Sequence, residues 1–248
     1  MIIVTRPPSG AKVTIGVKYD QPGLSMRNPD GSMSGFDVDV ATYVAERLGY
    51  QREEIEWKDA PPADREQLIQ QGDVDYVVGT YSITPERKQK IGFAGPYFQS
   101  GQSLLVRADN TDIVGPESLT GNRIVCSVPE STSAQRIRQK YPDVQLRLYD
   151  TYSECVQALK DGMVEAVTTD AVILAGYAAQ DPGTTKIVGQ PFSMALYGIG
   201  LSKDDKDLRQ KINDALQKMI DSGAWQAAFD KNLGSSGYKA PPPRIDRY

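Results

Sequence analysis

A chain of 248 residues, 40% of them hydrophobic, can bury a full core as one large domain or as two of ordinary size. Lys and Arg number 28 against 32 Asp and Glu, a net charge of −4 with no basic block, which argues against nucleic acid as a partner. There is no histidine, so the commonest general base, the commonest zinc ligand and any Ser-His or Cys-His nucleophile are missing, and no cofactor, metal or catalytic centre is expected.

The opening "MIIVTRPPSG" carries no basic-apolar-small leader and reads as either a cytosolic start or the start of a mature chain. No apolar run in the sequence approaches the roughly 18 residues that span a bilayer. Strands and helices then alternate, which predicts an α/β class with mainly parallel sheets. "AKVTIGVKY" alternates as a strand does. "FDVDVATYVAERLGY" puts Val40, Ala41, Val44, Ala45 and Leu48 on one helical face and stops at Gly49. A short strand around 55–57, a helix over about 63–71 and the strand "VDYVVGT" follow, a run of βαβ units.

Past the polar stretch "VRADNTDIVGPESLTG" a second series begins. It runs strand "RIVCSV", helix "SAQRIRQKY", strand "QLRLYD", helix "TYSECVQALKDG", strand "EAVTTD", helix "AVILAGYAA" and strand "TKIVG", which predicts a second, smaller α/β lobe. The strand "ALYGIGLS", two amphipathic helical segments and a Pro-rich, charged tail complete the chain. Cys126 and Cys155, with no CxxC pattern, are either two buried thiols or one disulfide.

Three strand-to-helix turns and one strand end carry candidate chemistry. In "YSITPERKQK", Thr84 is an N-cap, Pro85 is N1 and Arg87 is N3, where a cation opposes the helix dipole. Arg87 is either a solvated arginine paired with a neighbouring acid or a bidentate grip on a bound carboxylate at a strand's carboxyl end. In "SVPESTSAQRI", Ser131, Thr132 and Ser133 cap a helix whose free amides either only start the helix or also hold an anion. In "VTTDAVIL", Asp170 is either an N-cap or the partner of a ligand ammonium. Arg87 and Asp170, presented by different lobes, would clamp an α-amino acid. Lys18, closing the first strand, either reaches water or reads an acidic ligand side chain.

These stretches, in this order, resemble the extracellular solute-binding proteins of ABC transporters for polar amino acids. The resemblance rests on "GFDVDVATYVAERLGY", "DVDYVVGTYSITPERKQKIGFAGPYFQSGQSLLVR", "VPESTSAQ", "VTTDAVILAGY" and "YGIGLSKDDKDLRQKINDAL", and extends from about residue 12 to residue 233. "YDTYSECVQAL" and "VTTDAVILAGYA" resemble in particular the glutamate-binding lipoproteins of actinobacteria.

The resemblance implies a two-lobed, type II periplasmic-binding-protein-like fold with two hinge strands. Residues 1–107 plus 196–248 would form the larger lobe and 108–195 the smaller, with the ligand between them. It implies that Arg87 binds the α-carboxylate with support from Ser82 and a backbone amide at Thr132. Thr80 would accept from the α-ammonium through its carbonyl, Asp170 would pair with that ammonium, and Tyr19 would cover the ligand stem. Lys18 is the nearest match to a basic side-chain reader, and Thr169 stands where some relatives carry a histidine. The implied function is delivery of an amino acid, glutamate ahead of aspartate, glutamine or asparagine, to an ABC permease. The protein would be a monomer outside the cytoplasm, lipid-anchored through its precursor. A dehydratase on the same scaffold is the competing class.

Overall fold

The computed structural model describes residues 10–248, so the "MIIVTRPPSG" start, up to residue 9, and the first residues of the expected larger lobe lie outside the described residues. In chain order the elements are β1 (Val13–Val17), β2 (Asp20–Gln21), β3 (Ser25–Arg27), β4 (Met33–Ser34), α1 (Phe36–Arg47), β5 (Ile55–Asp59), α2 (Arg65–Gln71), β6 (Tyr76–Val77), α3 (Pro85–Lys90) and β7 (Gly92–Ser100). There follow β8 (Gln102–Arg107), β9 (Ile124–Ser127), α4 (Thr132–Lys140), β10 (Gln145–Leu148), α5 (Tyr152–Lys160), β11 (Ala166–Asp170), α6 (Ala171–Gln180) and β12 (Thr185–Val188). The chain returns through β13 (Ala195–Leu201), α7 (Lys206–Asp221) and α8 (Ala224–Leu233).

Two five-stranded sheets result, ordered β5-β1-β6-β13-β7 and β10-β9-β11-β8-β12, with β2-β3-β4 as a small antiparallel sheet beside the first. Both large sheets are mixed rather than mainly parallel. Strands joined through a helix return parallel, as β1 does to β5 and β6, and as β9 does to β10 and β11. β13 and β8 enter their sheets without a crossover helix and pair antiparallel with both of their neighbours.

The chain passes between the sheets twice, at Gly101 and over residues 189–194. The two passages touch. Gln102 N donates to Ser193 Oγ at 2.9 Å and Phe192 N to Gln102 O at 2.9 Å. A Cβ on Gly101 would sit 2.2 Å from Ser193 O, so only glycine lets the passages lie this close. The expected lobe boundary at residue 107 therefore falls inside the second sheet, where all of β8 pairs. The polar stretch after it is not a free linker either, because Ile113 and Leu119 are buried in the second lobe's core beside Leu104, Val106 and Val125.

The first lobe's core is aromatic: Phe36, Phe98, Trp225 and Phe229 pack with ring centres 5.4–6.3 Å apart, and Trp225 Nε1 donates to Tyr97 O at 2.8 Å. The charged tail runs over this lobe, anchored where Asp246 N donates to Gly95 O. In the second lobe a Cys126–Cys155 disulfide joins β9 to α5, both residues fully buried, with Cα atoms 5.6 Å apart. It closes a loop of sequence separation 29, so reduction is expected to lower stability by about 3–4 kcal/mol on a chain-entropy account. Urea unfolding with and without a reductant measures this; an unchanged midpoint would contradict it.

Candidate functional site

The carboxyl end of β6 runs into a turn whose shape is set from beneath. Thr80 has φ 47°, a left-handed conformation that a β-branched residue adopts only under constraint. The constraint is Asp37, in the first turn of α1. Its Oδ2 accepts from Thr80 N at 2.8 Å, and its Oδ1 accepts from Tyr97 Oη at 2.9 Å. Asp37 is fully buried, and desolvation pushes its carboxyl up to about 7 against the hydrogen bonds from Tyr97 and Thr80. This is the first of the two aspartates in the "GFDVD" stretch, and it serves the cleft by fixing Thr80.

The next turn brings in Arg87. Thr84 Oγ1 accepts from Arg87 N at 3.2 Å, the N-cap expected from sequence, with Pro85 at N1. The helix is only six residues long, so its dipole opposes the N3 guanidinium weakly. The negative neighbour is Glu66, whose Oε1 lies 3.3 Å from Arg87 Nε. Nη1 donates to Ser82 O at 2.9 Å, and Nη2 crosses to the other lobe to reach Glu130 O at 3.3 Å.

Beside Arg87 lies a second buried guanidinium. Arg65 is 2% exposed and donates through Nε to Ala60 O at 2.9 Å. Both guanidinium carbons sit 4.9 Å from the centre of the Tyr81 ring. Burial and then the neighbouring Arg87 charge pull the Arg65 pKa down. The surrounding sequence, "ADREQLIQ", reads as an ordinary helix, and nothing local marks Arg65 as buried.

From the second lobe, Ser131 caps α4, its Oγ accepting from Ala134 N at 3.0 Å, which leaves the first-turn amides at Thr132 and Ser133 on the cleft wall. Asp170 occupies the N-cap position of α6 but makes no capping hydrogen bond. Its Oδ2 accepts instead from Tyr197 Oη at 2.6 Å, on β13 of the first sheet. Its Oδ1 is buried with no hydrogen-bond partner. Desolvation raises the Asp170 pKa, opposed by the Tyr197 hydrogen bond and by Arg136 and Arg87. A buried, unpaired carboxylate oxygen facing a cavity is an acceptor waiting for a donor such as an ammonium.

Thr80, Ser82, Arg87, Thr132, Thr169 and Asp170 all line one cavity between the lobes, and Arg65 and Tyr152 line it too. Two expected residues do not. Lys18 is buried away from the cavity, its Nζ 3.2 Å from Asp20 Oδ1 and 3.8 Å from Asp59 Oδ1, whereas Arg65 lines it. Tyr19 points the other way, donating from Oη to Trp57 O at 2.9 Å beneath the Arg27 guanidinium, and Gln21 takes its place on the cavity wall.

Two α/β lobes closing on buried cations from one side and a buried carboxylate from the other define a hinged binding protein for a small zwitterionic solute. The chain belongs to the bacterial extracellular solute-binding proteins, family 3, whose sequence profile matches residues 13–235. It is 49% identical over 231 residues to the glutamate-binding protein GluB of Corynebacterium efficiens, covering 90% of this chain and 79% of that one. It is 35% identical over 221 residues to the ABC transporter glutamine-binding protein GlnH of Bacillus subtilis, covering 89% and 80% of the two chains. Among solved structures, an ancestral arginine-binding protein bound to glutamine superposes with a TM-score of 0.84 at 33% identity, covering 90% of this chain and 98% of the other. The protein is thus an amino-acid-binding component of a transport system that works outside the cytoplasm. No helix among the described residues is long and apolar enough to cross a membrane.

Proposed function

We propose that the protein captures L-glutamate between its lobes as a monomeric receptor and presents it, in the closed form, to an ABC permease. The observation that carries this reading is the charge inventory of the cavity. Arg87 and Arg65 supply two guanidiniums and Asp170 one carboxylate with an unused oxygen, the complement of a ligand with two carboxylates and one ammonium. Arg87 and the α4 amides take the α-carboxylate, Asp170 Oδ1 and the Thr80 carbonyl take the ammonium, and Arg65 takes the side-chain carboxylate. The 49% identity to a glutamate-binding protein supports the same choice. The Cys126–Cys155 disulfide supports an oxidising compartment. Transport in place of catalysis is supported by the family, and product formed from prephenate or arogenate would overturn it.

Isothermal titration of protein unfolded, stripped of carried-over ligand and refolded tests the reading with glutamate, aspartate, glutamine and asparagine. Glutamate is expected to bind tightest, with glutamine at least about tenfold weaker because it leaves part of the Arg65 charge unpaired. Glutamine binding more tightly than glutamate, or no response to any of the four, would refute it.

A further inference from the structure

Lys18 is buried, charged and unused by the cavity, and what surrounds it lies on the seam between the lobes. Its partner Asp20, on β2 of the first lobe, reaches into the second. Asp20 Oδ2 accepts from Tyr152 N at 3.1 Å and Ser153 N at 3.4 Å, the first amides of α5. Tyr177 Oη, on α6, donates to the Asp20 carbonyl and lies 3.2 Å from its Oδ2. The other carboxylate oxygen, Oδ1, has only the Lys18 ammonium at 3.2 Å, in ion-pair geometry. Two residues on, Pro22 lies directly on Gly176 of α6. A Cβ there would stand 2.1 Å from Pro22 O, and the three atoms nearest to it all belong to Pro22.

We propose that Lys18, Asp20 and the Pro22–Gly176 seat form a latch that sets ligand affinity by holding the lobes shut, without touching the ligand. This rests on the reading that the protein binds an amino acid by closing. Asp20 belongs to one lobe, while the amides and phenol it accepts from belong to the other, so these bonds exist only in the closed form and are exchanged for water on opening. A carboxylate at a helix N-terminus also meets the positive end of the dipole. Lys18, with Asp59 3.8 Å beyond it, offsets the cost of burying the Asp20 charge and aims it at α5. Because Lys18, Asp20, Pro22 and Gly176 do not line the cavity, and Asp20 meets the lining residue Tyr152 only at its backbone amide, the latch's contribution is the same for every ligand that closes the protein. A population shift of this kind scales all affinities by one factor.

The test uses two kinds of variant and two readouts. Asp20→Ala removes the acceptor, and Kd for glutamate and for glutamine is expected to rise by the same factor, about 10–100-fold, mainly through koff. Lys18→Met is expected to weaken both ligands alike. Gly176→Ala adds a methyl that meets only the opposite lobe, and alanine favours a helix over glycine. Its melting temperature is therefore expected to hold or rise while both affinities fall, which a merely structural role would not produce. A rise in Kd confined to glutamate in Lys18→Met would overturn the latch and make Lys18 a ligand reader; unchanged affinities in Asp20→Ala and Gly176→Ala would overturn it as well. The second readout is the closed fraction of ligand-free protein, from the distance between spin labels on exposed Glu53 and Glu117, expected to be lower in both variants than in the wild type. It is independent of ligand identity. A wild type that responds to none of the amino acids refutes the binding reading, while equal closed fractions in the wild type and the variants refute the latch.

Discussion

Arg87→Ala is expected to raise the Kd for glutamate by roughly two to three and a half decades, equivalent to about 3–5 kcal/mol of binding. The ligand's α-carboxylate is desolvated when the lobes close, and removing its bidentate partner leaves it only the α4 amides. Arg87 also donates to Ser82 O, pairs with Glu66 and lies by the Tyr81 ring, so the same variant is expected to lose about 1–2 kcal/mol of stability. Titration calorimetry at a temperature well below the melting point separates the two effects. An unchanged Kd in a folded Arg87→Ala protein would remove Arg87 from the site.

Arg65→Met is expected to change which ligand wins. Methionine keeps an unbranched apolar stem of similar reach but offers no donor. Glutamate, with its side-chain carboxylate unpaired, should lose about 3–5 kcal/mol. Glutamine, with a neutral amide, should lose far less, so that it becomes the tighter ligand. Folding stability is expected to hold or rise, because a fully buried guanidinium with one backbone acceptor costs more to desolvate than a thioether. Equal losses for both ligands would make Arg65 a support for Tyr81 and Arg87 and leave the side-chain reader unassigned. The comparison with Lys18→Met is direct, since that variant is expected to leave the preference between the two ligands where it was.

The most legible part of the site lay in its turns. Thr84, Pro85 and Arg87 form a cap whose geometry depends on four consecutive residues, and the structure reproduces it with the side-chain and backbone contacts expected. Asp170 was legible only as a choice, because an aspartate at the start of a helix caps it in most contexts. Tyr197, a residue 27 positions away on the other sheet, takes one carboxylate oxygen, and the other is left without a partner and without a capping bond. Asp37 was within a quoted stretch, yet its role depends on Thr80, 43 positions on.

By itself the sequence determined the α/β alternation, the caps, the charge-bearing turns at strand ends and the resemblance that named the family, because each is written in neighbouring residues or in a run of them. The tertiary structure decided the direction of each long side chain. It placed Lys18 and Tyr19 off the cavity, toward the seam and the surface, and it buried Arg65 on the cavity wall from a helix with no local mark. It also put β8, up to residue 107, in the second sheet. The physical reason is that capping and periodicity are local, whereas burial, ion pairing and strand direction are set by whichever distant segment packs opposite.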